Sequence, residues 1–236
     1  MRNKLCLALL VCAFGCDKKE TPPPVPQTAE TPAAAPAPAA PAAAVNPKLL
    51  SPETFSEKAP ESYKAAFSTT KGDFVIEVTR SWSPNGADRF YNLVKNGFYD
   101  EVAFFRVVKG FMAQFGIHGR PEVNAKWFRA NIADDQPTGH SNMPGTVTFA
   151  TSGPGGRSTH IFINYGNNSQ LDGPQFTPIG KLVSGMEVVE SLYAGYGDGP
   201  PYGNGVEQGR FNMEGNAYLQ AEFPKLDYIK SAKLVP

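Results

Sequence analysis

The stretch Phe104-Phe105-Arg106-Val107-Val108-Lys109-Gly110-Phe111-Met112-Ala113-Gln114-Phe115-Gly116 sets one arginine and one glutamine among bulky apolar residues. Its composition predicts two β-strands, over residues 103–108 and 112–115. Successive side chains of a strand point to opposite faces. Phe104 and Arg106 are therefore expected on one face of the first strand, and Met112 and Gln114 on one face of the second. The plain reading of Arg106 is an arginine at a strand edge, its stem on apolar surface and its head in water. A functional site is the sharper reading.

On the N-terminal side, residues 63–68 and 73–79 are β-rich runs joined through Thr70-Lys71-Gly72-Asp73, the chemistry of a hairpin. In the second run Phe74, Ile76 and Val78 alternate with Val75, Glu77 and Thr79, the period of a half-buried strand. Ser83-Pro84 then opens a helix, with Ser83 as cap and Pro84 in the first turn. Phe90, Leu93 and Val94 form its apolar stripe, and Gly97 ends it. On the C-terminal side, strands are predicted over 146–150, 161–164, 179–182 and 227–234. A second helix fits residues 185–193, where Met186, Val189 and Leu192 share a face. Residues 195–209 are too rich in Gly and Pro for either element and are expected to form a surface loop. Eight strands and two helices, without strand-helix alternation, predict a mainly β domain built on an antiparallel sheet or barrel.

Composition narrows the function. The 236 residues carry 22 basic and 22 acidic side chains, so no positive excess exists to hold a nucleic-acid backbone. All three cysteines (Cys6, Cys12 and Cys16) lie at the N-terminus. The rest of the chain therefore has no disulfide framework, cysteine nucleophile or cysteine-rich zinc site. His118, His140 and His160 are too scattered to argue a metal site, and no metal or cofactor is expected. Residues 153–158 are glycine-rich like a phosphate loop but lack its lysine and spacing. No nucleophile elbow surrounds a serine.

Arg2 and Lys4 precede an apolar run over residues 5–14, followed by Gly15-Cys16 and the charged Asp17-Lys18-Lys19-Glu20. That run falls short of the roughly 20 residues a membrane-spanning helix needs. It fits the apolar part of a secretory signal peptide; a buried N-terminal strand is the alternative. Ala13-Phe14-Gly15-Cys16 resembles a bacterial lipoprotein processing site, with Ala13 where leucine is preferred and a bulky Phe14. Residues 1–15 are thus expected to be a signal peptide, cleaved before a lipid-bearing Cys16. Losing Arg2 and Lys4 takes the basic count from 22 to 20 against 22 acidic residues. Residues 16–62 are expected to be a disordered Pro/Ala-rich tether, since such a segment buries too little apolar surface to offset its ordering entropy. Its stretch 21–47 favours extended polyproline-like backbone, about 80 Å at about 3.1 Å per residue. A Pro-rich recognition ligand is the alternative there. Residues 49–62 are transitional, with weak packing on the domain expected, and 63–236 form the domain itself. The expected location is the bacterial envelope, anchored to a membrane by lipid and facing the periplasm or exterior.

The opening stretch has company. With Val147-Thr148-Phe149-Ala150-Thr151-Ser152-Gly153-Pro154, Ser158-Thr159-His160-Ile161-Phe162-Ile163-Asn164, Leu171-Asp172-Gly173 and Pro178-Ile179-Gly180-Lys181-Leu182-Val183-Ser184-Gly185-Met186, it resembles the cyclophilin family. The blocks fall in family order and spacing over about residues 67–189. The resemblance implies a closed eight-stranded antiparallel barrel capped by two helices, acting as a monomer without cofactor. It implies peptidyl-prolyl cis-trans isomerase activity on proline-containing polypeptides, here in exported proteins. It puts the catalytic arginine at Arg106 and the substrate-carbonyl contact at Gln114. The proline pocket falls on Phe111, Met112, Phe162 and Leu171, with Phe176 near the usual pocket histidine. Ala150 and Thr151 match the backbone rail that binds peptide, and His160 takes the place of a glutamine. Phe105 stands where histidine often precedes the arginine, and Gln170 where many members have tryptophan. These departures motivate the alternative of a proline-segment binding module or holdase with little catalysis.

Overall fold

The computed structural model describes residues 45–236. The alternating run after residue 62 folds as expected: strands β1 (Ser62–Thr69) and β2 (Gly72–Thr79) pair antiparallel with Thr69 opposite Gly72. Gly72 sits at φ 130°, a conformation that side-chain-bearing residues avoid, so the tight turn needs it. Helix α1 (Pro84–Lys95) buries Phe90, Leu93 and Val94, the predicted stripe. Strands β3 (Arg106–Val108) and β4 (Met112–Phe115) follow, then helix α2 (Pro121–Trp127). Strands β5 (Thr146–Phe149), β6 (Ile161–Asn164) and β7 (Pro178–Ser184) precede helices α3 (Met186–Glu190), α4 (Gln208–Glu214) and α5 (Asn216–Glu222). Strand β8 (Ile229–Val235) ends the chain. All pairings are antiparallel, in the order β3-β4-β6-β5-β7-β2-β1-β8.

The eight-stranded sheet curls but does not close as a ladder. Its end strands β3 and β8 meet through a single bridge just outside both, Ala103 against Tyr228. Two hydrogen bonds flank it, Phe104 N–H to Asp227 O at 2.9 Å and Ile229 N–H to Val102 O at 2.8 Å. The closed barrel that the family resemblance implies is therefore an open one with a one-bridge seam. The two expected helices are present, the second shorter than predicted, and α2, α4 and α5 join them.

The seam also corrects a prediction of facing. Residues 103–104 bond towards β8, whereas 106–108 pair with β4. Between the two partners the alternation slips: Phe104 and Val107 both enter the barrel core, while Phe105 joins a second apolar cluster. Arg106 is consequently not on the face of Phe104. The second cluster contains Phe105, Val206, Phe211, Leu219 and Phe223, so the chain from the end of the glycine-rich loop through α5 builds an apolar cluster separate from the barrel core.

Two further expectations are revised. Ser83 precedes α1 but makes no side-chain cap bond; its hydroxyl donates to Asp135 instead. Asp135 does the capping from afar, accepting from the Asn85 N–H at 2.9 Å and the Gly86 N–H at 3.0 Å. Arg157, 0% exposed, donates from Nη2 to the same carboxylate at 3.0 Å. The folded unit also begins before residue 63. Leu49, Phe55 and Ala59 are buried in the barrel core, and the Trp127 indole N–H donates to Leu49 O at 2.8 Å. Short apolar residues spaced among prolines and charges give no periodic signal, which is why this stretch reads as tether. The expected signal peptide, Cys16 and the tether up to residue 44 lie outside the described residues. Among the described residues no helix is long and apolar enough to cross a membrane.

Candidate active site

The sheet register lines up the site. Arg106 pairs with Gln114, Gln114 with Phe162, and Phe162 with Thr148, one row across β3, β4, β6 and β5. Their neighbours Val107, Ala113, Ile161 and Ile163 enter the core, so alternation sends this row to the opposite face. Gln114 accepts from Arg106 Nη1 at 3.1 Å. The guanidinium lies 5.7 Å from the centre of the Phe111 ring, within cation–π reach. Arg106 Nε and Nη2 each donate to one oxygen of Asp198 at 2.8 Å, a two-pronged ion pair.

Side chains that the family resemblance puts in the proline pocket lie close to this row. Met112 and Phe162 are buried, Phe111 and Leu171 half-buried, and the Phe176 ring lies 6.2 Å from that of Phe162. Ala150, Thr151 and His160 come together elsewhere. They line a cavity of about 450 Å³, shared with Trp127, Phe128 and, from α4, Gln208 and Asn212. The Ala150 N–H donates to His160 O at 2.9 Å, which holds these two walls together. No sequence motif marks the α4 residues as part of this cavity.

Three buried asparagines, also unforeseen, hold the pocket. Asn142 donates through Nδ2 to Asp172 at 2.8 Å and to Phe176 O at 2.9 Å, and accepts from the Thr148 hydroxyl at 2.8 Å. Asn168 Nδ2 donates to Phe111 O at 2.8 Å and to Asn164 Oδ1 at 2.7 Å. The Leu171 N–H donates to Asn168 O at 2.8 Å. Phe111, Leu171 and Phe176 thus hang on one hydrogen-bonded frame. Buried amides must find partners, and a satisfied network fixes one geometry. In the sequence they read as loop residues, since burial is a tertiary property. Asp198 is likewise an ordinary loop acid until the fold brings it to Arg106.

Electrostatics leave the site's imidazole neutral. Burial pushes the His160 pKa down to about 4, and burial with the Arg120 charge does the same for His118. A folded-state value below the unfolded one, about 6.5, means the unfolded chain binds more protons between about pH 4 and 6.5. Stability is then fully present above that window and lost as pH falls through it. The full loss is on the order of 3 kcal/mol for buried His118 and less for half-buried His160. Burial raises the Asp100 carboxyl and opposes this in part. We expect the melting temperature to hold from pH 8 to 7 and to fall between pH 6.5 and 4. His118→Asn should flatten that slope, and an unchanged slope would contradict the assignment. Among the described residues no group of three or more His, Cys, Asp or Glu is placed to hold a metal ion.

The comparisons with known proteins agree with one another. The family model for cyclophilin type peptidyl-prolyl cis-trans isomerases matches residues 64–207. Peptidyl-prolyl cis-trans isomerase cypE of Dictyostelium discoideum is 33% identical over 131 residues, 53% of this chain and 81% of that protein. A peptidyl-prolyl cis-trans isomerase of Acinetobacter baylyi is 32% identical over 129 residues, 52% of this chain and 68% of that one. A crystal structure of a Cryptosporidium parvum cyclophilin type isomerase shares the fold with a TM-score of 0.55 at 20% identity, covering 74% of this chain and 98% of that one. The same protein in the presence of the dipeptide Ala-Pro gives a TM-score of 0.53.

Proposed function

The chain belongs to the cyclophilin-type peptidyl-prolyl cis-trans isomerases, and from that premise we propose that Arg106 is the catalytic residue and that Phe111, Met112, Phe162, Leu171 and Phe176 grip the prolyl ring. Isomerisation about X-Pro has a barrier near 20 kcal/mol because the amide loses conjugation as it twists. In the twisted state the prolyl nitrogen becomes pyramidal and gains a basic lone pair. A positioned guanidinium donates to that lone pair better than to the planar amide, which is differential binding of the transition state. The apolar pocket holds the ring while the carbonyl side rotates, and excluded water strengthens the charge-assisted bond. Gln114 orients both Arg106 and the substrate carbonyl. Ala150 and Thr151 offer backbone to the peptide, with neutral His160 behind them.

The observation that carries this reading is the row Arg106–Gln114–Phe162, which sets donor, orienting amide and pocket wall side by side. The dipeptide present with the Cryptosporidium relative supports proline-containing polypeptides as substrates. The clients are exported proteins, and the enzyme acts as a monomer held to a membrane by lipid on Cys16, in the bacterial envelope facing the periplasm or exterior. The apolar run before Cys16 and the Pro/Ala-rich segment after it support this placement. A protease-coupled assay on an X-Pro peptide tests the reading. We expect saturable acceleration by the full chain. Saturable binding without acceleration would select the binding-module alternative.

A further inference from the structure

We propose that Asp198, on the glycine-rich loop after α3, is a positioning residue for Arg106 that fixes which edge of the guanidinium faces the substrate. The inference rests on the reading of Arg106 as the catalytic residue. A guanidinium carries five N–H donors in a rigid plane. Asp198 takes the Nε donor and one on Nη2, each at 2.8 Å, and Gln114 takes one on Nη1 at 3.1 Å. Two donors remain, one on each terminal nitrogen. Rotation of the guanidinium about its stem would break both bonds to the carboxylate, so those two donors are held in one orientation before a peptide arrives. Such preorganisation lowers the barrier because no alignment is left for the reacting step.

The carboxylate could instead be a rival that the peptide must displace. The loop argues against that. Asp198 is held by its backbone: its carbonyl accepts from the Gly205 N–H at 2.8 Å. The chain folds back on the same atom so closely that a Cβ on Gly203 would lie 2.2 Å from it. The foot of the loop, Val206, is buried in the second apolar cluster together with Phe105, the residue next to Arg106. Phe105 also packs edge-to-face on Phe211 of α4, ring centres 5.9 Å apart. One apolar cluster therefore ties the loop that bears Asp198 to the strand entry that bears Arg106. This gives Phe105 a function: its ring anchors the loop that supplies the carboxylate. The side chains of Arg106 and Asp198 are 24% and 26% exposed, so the pair is reachable from solvent.

The test uses the full chain and an X-Pro peptide, with kcat and KM measured separately for wild type, Arg106→Ala, Asp198→Asn and Asp198→Glu. Equal turnover by wild type and Arg106→Ala would overturn the reading of Arg106, whatever Asp198 does. If Arg106→Ala is impaired, Asp198→Asn is expected to lower kcat at least about tenfold with KM within about twofold of wild type. Added to Arg106→Ala, it should cost nothing more, because it acts through the guanidinium. Asp198→Glu, which keeps the charge, should recover part of the loss. Nitrogen-edited NMR supplies a second measurement: the Arg106 Nε–H should exchange slowly in wild type and rapidly in Asp198→Asn at an unchanged melting temperature. An unchanged or raised kcat in Asp198→Asn would overturn the proposal, as would a loss carried by KM alone or a slowly exchanging Nε–H in that variant.

Discussion

Replacing Arg106 by alanine is expected to leave about one-hundredth of wild-type kcat on an X-Pro peptide, the usual cost of removing one preorganised donor from a reacting centre. KM should move by less than about threefold, because on the proposed reading the apolar pocket and the backbone of Ala150 and Thr151 hold the planar ground state without Arg106. Arg106→Lys separates charge from geometry. An ammonium keeps the charge but cannot meet Asp198 with two parallel bonds and Gln114 with a third, as the guanidinium does. The lysine variant should therefore fall much closer to alanine than to wild type. Progress curves over a range of peptide concentrations check both. A lysine variant with wild-type kcat would mean that charge alone suffices, and an alanine variant with wild-type kcat would remove Arg106 from the chemistry.

The strands that carry this site were legible because local pattern and sheet geometry coincide, whereas the roles of its residues came from the family resemblance. The runs over residues 112–115 and 161–164 are strands in the sequence and in the fold, so Gln114 and Phe162 needed only a register to meet. Arg106 was harder. Two-residue alternation put it with Phe104, yet the chain changes partners between them, from Tyr228 to β4. No local signal marks such a slip; it arises where the barrel must close. Asp198 and the asparagine frame were beyond reach for a different reason. A polar residue in a loop reads as solvated, and only the tertiary arrangement shows that Asn142 is fully buried or that Asp198 spans 92 positions of sequence to reach Arg106. Phe105 shows the converse. In the sequence it is a departure that raised doubt about catalysis, whereas in the fold it is the contact that seats the extra loop and α4.

The largest stability effect is expected away from the site, at Arg157. Its side chain is 0% exposed, with Nη2 3.0 Å from Asp135, Nε 3.3 Å from Asp134 and Nη1 donating to Ser83 Oγ at 3.3 Å. Breaking a buried pair from one side strands the remaining charge, at a cost of about 3–5 kcal/mol. In Arg157→Leu the stranded Asp135 keeps the Ser83 hydroxyl and two α1 amides as donors, which places that loss near 3 kcal/mol. Asp135→Ala leaves the buried cation only Asp134, at 3.3 Å, as a carboxylate partner and also uncaps α1, adding about 1 kcal/mol. It should be the worse of the two. The double variant should be less damaging than the sum, since Arg157 and Asp135, the two most deeply buried charges, are then removed together. Urea unfolding followed by tryptophan fluorescence and circular dichroism gives all three values. Because the pair is shielded from solvent, added salt should change them little. A loss under about 1 kcal/mol for Arg157→Leu would place the pair with exposed ones. Helix α1 would then rest on Phe90 and Leu93 in the core, with its N-terminus held by something other than this charge.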